Sequence, residues 1–132
     1  MSQTHELVES LNIKSSLTSQ QLACGVDALL ECEEAVTACA AGMLSEPTMG
    51  PMISADLDCA DVVAATRRLL TRHTGPDTAV LSAQLEACLL ACERSSQFCG
   101  NFAERHEHCR ICSQATRRCV ETSRELLHAL HR

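Results

Sequence analysis

The sequence predicts an all-α protein: an antiparallel four-helix bundle over residues 18–132, preceded by a segment, 1–17, with room for one short docking helix. Three observations carry this prediction. Phe98 and Phe102 are the only aromatic residues, and alanine, leucine, glutamate, glutamine and arginine dominate, which suits helices and disfavours sheets. Four long stretches carry apolar or small residues at alternating spacings of three and four, the period of one helix face. Glycine and proline gather between those stretches, where they break helices.

Taken in order, residues 4–14 form a short amphipathic helix with Thr4 as cap and Leu7, Val8 and Leu11 on one face. Thr18 followed by Gln21 has the form of a capping box and starts the first long helix. Its inward seam is Leu22, Gly25, Leu29, Cys32, Val36, Cys39 and Met43, with Cys24 about 100° away on a flank. A connection bearing Met43, Met49 and Met52 follows, broken by Pro47, Gly50 and Pro51. Ser54 or Asp56 is expected to cap the second helix, whose seam is Cys59, Val63, Thr66 and Leu70, reaching to His73. Gly75 ends it, and Pro76-Asp77 opens the third, with Leu81, Leu85, Cys88, Cys92, Ser95, Cys99 and Phe102 inward and an end near Arg105. The fourth begins near Glu107 and turns Cys109, Cys112, Thr116, Cys119, Ser123, Leu126 and Leu130 inward.

Short connections make the bundle run up-down-up-down, so the methionine connection and the His106/His108 corner share one end, the mouth. At about 1.5 Å per residue, Cys39, Cys59, Cys99, Cys109 and Cys112 are expected within roughly 8 Å of it. Cys32, Cys92 and Cys119 are expected on the order of 17 Å down, and Cys24 and Cys88 at roughly 25 Å. Below them Leu22, Leu70, Leu81, Leu126 and Leu130 form an apolar plug.

Net charge is −6, which argues against nucleic acid or an anionic membrane as partner. The arginines at 67, 68, 72, 117 and 118 fit a solvated face. The opening residues have neither a basic n-region nor an apolar h-region, and no apolar run nears the roughly 20 residues of a membrane span, so the cytosol is expected. Thiols stay reduced there, and ten cysteines point to metal.

A single buried cysteine is an ordinary small hydrophobe, but eight or nine on inward seams are not filler. Thiolates select Cu(I), Zn(II) or iron–sulfur clusters. Zinc and iron–sulfur sites usually draw on knuckles and loops, and only Cys109-x-x-Cys112 has a knuckle spacing, within a helix. A line of sulfurs on rigid helices fits a string of Cu(I) ions, with the thioether of Met43 and the imidazoles of His106 and His108 as further ligands at the mouth. His5, His73, His128 and His131 read as structural or surface residues.

The pattern resembles the bacterial copper storage proteins, cysteine-lined four-helix bundles with C-x3-C-x2-C-x3-C repeats in their last two helices after a His-x-His-Cys corner. The matching residues are Cys88, Cys92 and Cys99, then His106, His108, Cys109, Cys112 and Cys119, with Arg110, Arg117 and Arg118 at basic positions. The resemblance implies storage of many Cu(I) ions and a homotetramer of bundles. Ser95, Thr116 and Ser123 stand where the family places cysteine, and the second helix has one cysteine only. Ten thiolates would hold about five ions if none is shared and about ten or more with bridging. The expected role is therefore cytosolic Cu(I) storage or buffering, without catalysis. Two alternatives stay open at this level: a thiol redox protein using Cys109 and Cys112 near a helix N-terminus, and a zinc or iron–sulfur module.

Overall fold

The computed structural model describes residues 2–131 and contains five helices: α1 (Gln3–Glu9), α2 (Ser19–Gly42), α3 (Gly50–Thr71), α4 (Ala79–Phe102) and α5 (Glu107–Leu130). No strand occurs among the described residues. Helices α2 to α5 form a ring in which each packs on its neighbours in chain order and α5 closes against α2, while α1 lies on α2. The four-helix, all-α prediction holds, with the short N-terminal helix present.

Local chemistry explains most boundaries. Thr18 Oγ1 accepts from the Gln21 backbone N–H at 3.1 Å, and Gln21 Oε1 accepts from the Thr18 N–H at 2.8 Å, a complete capping box. Pro51 occupies the first turn of α3, where its missing N–H has no helical partner to lose. That places Ser54 and Asp56 inside α3, contrary to the expectation that either caps it. Asp77 Oδ1 accepts from the Ala79 N–H at the start of α4. Helix α4 ends at Phe102, three residues before the expected Arg105.

The N-terminal helix is shorter than expected and is capped by Ser2, whose hydroxyl accepts from the His5 N–H at 3.1 Å. Only Val8 of its presumed face is buried; Leu7 and Leu11 stay exposed. The following linker is tied to the α3–α4 connection by Lys14 N–H to the Thr74 carbonyl, and by Ser15 with His73.

The far end of the ring is apolar, filled by Leu17, Leu22, Leu70, Leu81, Leu85, Leu126 and Leu130, each contributing about 1.5–3 kcal/mol on burial. Gly25 lets this end close. A Cβ there would meet Leu126 Cδ1 at 3.0 Å and Leu70 Cδ1 at 3.2 Å. Each of the four helix interfaces also carries one ion pair: Arg67–Glu33 (α3–α2), Arg94–Asp58 (α4–α3), Arg124–Glu93 (α5–α4) and Arg118–Glu31 (α5–α2). Three of these pairs are exposed and Arg67–Glu33 is half-buried, and pairs of this kind are worth about 0–1 kcal/mol each. Among the described residues no helix is long and apolar enough to cross a membrane.

Candidate metal centre

All ten cysteines are free thiols, and nine of them are fully buried inside the ring. Eight of them reach it because the 3-4 seams of α2, α4 and α5 turn inward as expected, down to Met43, Cys99 and Leu130, and Cys59 comes from the inward seam of α3. The nine form two chambers.

The inner chamber is a pair of sulfur triangles. Cys32, Cys59 and Cys92 stand 4.0, 4.0 and 3.7 Å apart. A point equidistant from the three lies about 2.3 Å from each, the length of a first-row metal–thiolate bond. The triangle is therefore already at ligating size. Cys92 is shared with the second group, Cys88, Cys92 and Cys119, in which Cys88 and Cys119 are 3.9 Å apart. Ser123 donates to the Cys88 sulfur at 3.6 Å.

The outer chamber mixes donors. Cys39 Sγ lies 3.8 Å from Cys99 and 3.7 Å from Cys109. Cys109 Sγ is in turn 3.8 Å from Met43 Sδ and 3.6 Å from His108 Nδ1. The His108 ring lies flat against α2 at Gly42, where a Cβ would fall 2.8 Å from Nε2. His106 stacks on His108 with ring centroids 5.2 Å apart and pairs with Glu46 at 3.6 Å on the rim. Met52 is buried and Met49 half-buried. The methionine connection and the histidine corner thus do share one end.

One group of this chamber has no counterpart in the sequence reading. Asp56, fully buried, brings its carboxylate into a set with Cys39, Cys99 and Cys112 whose donor atoms all lie within 4.8 Å of one another. Its Oδ1 accepts from Ser95 at 2.7 Å, Cys99 at 3.6 Å and Cys112 at 3.9 Å, while Oδ2 is buried without a partner. The signal was present: Asp56 lies three residues before Cys59 and so continues the inward seam of α3.

Three cysteines differ from their expected places. Cys59 belongs to the inner chamber, not the mouth, because α3 begins at Gly50 and Cys59 lies about 14 Å along it. Cys88 sits level with Cys119 instead of below it, since α4 ends about 4.5 Å earlier than expected. Cys24, on the flank of α2, is exposed in a groove beside Arg118 and Thr122 and is not brought together with the other thiols. The remaining seam departure, Thr116, donates to the Cys112 carbonyl at 2.8 Å and so is satisfied within its own helix.

The thiols polarise one another. Hydrogen bonds from Cys32, Cys88 and Cys92 hold the Cys119 thiol well below its ordinary value. Those from Cys32 and Cys92 bring Cys59 down to about 5. The donors move the other way: bonding to Cys119 pushes Cys32 and Cys92 up, and Cys88 up to about 12. Each S–H···S contact thus favours the thiolate on one partner and the thiol on the other, and the remaining protons leave as metal binds. In the outer chamber burial pushes Asp56 and Cys109 up. Cys109 and Cys112 are both fully buried, and Cys109 is raised where a redox nucleophile needs a lowered thiol.

Comparison with known proteins agrees with this geometry. The sequence profile described as copper storage protein matches residues 18–128. The structure of the copper storage protein Ccsp from Streptomyces lividans, loaded with 10 copper equivalents, matches with a TM-score of 0.90 and 38% identity over 96% of this chain and 99% of that chain. The chain belongs to the copper storage protein family. The same Streptomyces lividans protein described as a cytosolic copper storage protein with five coppers matches at 43% identity, TM-score 0.78, over 83% of this chain and 93% of that one. A variant of it with two histidines replaced by alanine matches at 40% identity, TM-score 0.82, over 88% and 100%. Among curated protein sequences no significant match is found. In this copper storage family member nine thiols face inward, with the Asp56 carboxylate among them.

Proposed function

We propose that this protein stores or buffers Cu(I) in the cytosol, as cargo and without catalysis. The observation that carries the proposal is the Cys32/Cys59/Cys92 triangle, sized for a three-coordinate soft cation and continued by the neighbouring thiols of Cys88 and Cys119. Cuprous ions pass His106, His108 and Met43 at the mouth, bind Cys39, Cys99, Cys109 and Cys112, and move by thiolate exchange to Cys32, Cys59, Cys88, Cys92 and Cys119. With each inward thiolate bridging two ions the capacity is about nine per chain if every ion takes two sulfurs and about six if every ion takes three. Cys24 contributes at most a surface site.

Burial of the thiols behind the helices keeps the cargo from water and oxidants. Each bound ion releases protons from the raised thiols, so uptake weakens as pH falls. The family resemblance and the apolar groove of Ala35, Ala38, Ile111 and Ala115 support assembly of four bundles. Sedimentation equilibrium should then give about four times the 14.3 kDa chain mass.

Titration of the reduced, metal-free protein with Cu(I) against a chromophoric chelator tests the function. Tight uptake of several ions per chain is expected. Uptake of one ion or none overturns it.

A further inference from the structure

We infer that Val36, Ser95 and Thr116 form a septum that divides the stored Cu(I) into two compartments, so that ions cross between the chambers far more slowly than they move within one. The inference rests on the copper proposal and adds to it the place where the string of thiolates is cut.

Each of the three residues is fully buried and stands on an inward seam between an inner thiol and an outer one. Val36 separates Cys32 from Cys39 on α2, Ser95 separates Cys92 from Cys99 on α4, and Thr116 separates Cys119 from Cys112 on α5. The two thiols of each pair are seven residues apart, a rise of about 10.5 Å. An ion handed from one thiolate to the next touches both, which needs sulfurs within about 4.6 Å, twice the metal–sulfur bond. Contacts of 3.7 to 4.0 Å meet that limit inside each chamber. Among the described residues no contact of 4.0 Å or less joins a sulfur of one chamber to a sulfur of the other, and no group of donors mixes thiols of the two.

The septum offers no substitute for the missing sulfurs. Val36 has no donor atom. Ser95 donates to Asp56 Oδ1 at 2.7 Å and Thr116 to the Cys112 carbonyl at 2.8 Å, and a neutral hydroxyl oxygen is a poor ligand for a soft cation. Only along α3 do donors of the two chambers come within one helical turn, through Asp56 and Cys59, three residues apart. Crossing is confined to that side.

The test loads the reduced, metal-free full chain anaerobically with excess Cu(I) in a stopped-flow mixer, following the near-ultraviolet Cu(I)–thiolate absorption. Two phases are expected, the faster filling the chamber of Cys39, Cys99, Cys109 and Cys112, the slower filling the chamber of the five inner thiols. Thr116→Cys sets a sulfur about 6 Å along α5 from Cys112 and about 4.5 Å from Cys119, and should speed the slow phase by about tenfold or more. Ser95→Cys should act in the same direction, while Thr116→Val keeps the septum and both phases. Uptake of several ions in a single phase by the wild type, which needs no variant to fold, overturns the septum and leaves the copper proposal standing. So does a slow phase that neither cysteine variant changes, or that Thr116→Val speeds as much as Thr116→Cys. Uptake of one ion or none overturns both readings.

Discussion

The two chambers are lined by the same residue type at the same helical spacing, yet they differ in what stands beside the sulfurs. Around Cys32, Cys59, Cys88, Cys92 and Cys119 each ligand group consists of thiols alone, at 3.7 to 4.0 Å where the separations are within contact. Around Cys39, Cys99, Cys109 and Cys112 the thiols meet a carboxylate, an imidazole and a thioether. The inner set suits a soft monovalent ion held by equivalent partners. The outer set offers several donor strengths in a short distance, which suits capture and selection. A line of cysteines in a bundle is thus not one uniform site, because its neighbours decide which cation each position prefers.

The comparison can be broken most severely at Cys92, which belongs to both inner groups. Cys92→Ser should lower Cu(I) capacity by about two or three ions per chain, read by chelator competition. A loss of one ion or fewer would mean the inner groups do not share it. Next in size is His108→Ala, which should slow Cu(I) uptake by about tenfold in stopped-flow mixing, because the ring stands 3.6 Å from the outermost thiol.

Gly42→Ala sharpens the same point. Its Cβ would fall within 2.8 Å of the imidazole and turn it away, so uptake should slow several-fold while helix propensity gains about 0.5–1 kcal/mol. Combined with His108→Ala the glycine substitution should add nothing further, the mark of two residues acting through one group.

A smaller effect distinguishes the chambers without metal. Burial raises the Asp56 carboxyl above its ordinary value of 3.8. The folded chain then holds a proton that the unfolded chain has released, so metal-free stability falls as pH rises from 3.8 through the raised folded value. Asp56→Asn should flatten that slope and stabilise the metal-free protein at neutral pH by on the order of 1 kcal/mol in urea unfolding. The smallest change expected is for Arg67→Ala, whose half-buried pair with Glu33 is worth about 0–1 kcal/mol and whose loss should leave both chambers intact.

The seams of α2, α4 and α5 were legible in the sequence because thiols and leucines recur at one period, and Thr18 with Gln21 marks a helix start by its own hydrogen bonds. Helix α3 was read less well. Its first turn carries Pro51 beside Gly50, and both residue types break helices elsewhere in the chain, so the cap was set about five to seven residues late. The same error hid Asp56, since an aspartate near a helix start reads as a cap. It also raised Cys59 toward the mouth. His108 Nδ1 against Cys109 needs the missing side chain at Gly42 on another helix, a contact that no spacing within α5 encodes.

The leucine end, tightened by Gly25 against Leu70 and Leu126, makes the vessel blind. Among the described residues the leucine end leaves ions that pass the histidines no second door, so the deepest ones leave only after those nearer the rim. Storage of this kind is last in, first out: two copper isotopes loaded in succession should return to a chelator in reverse order.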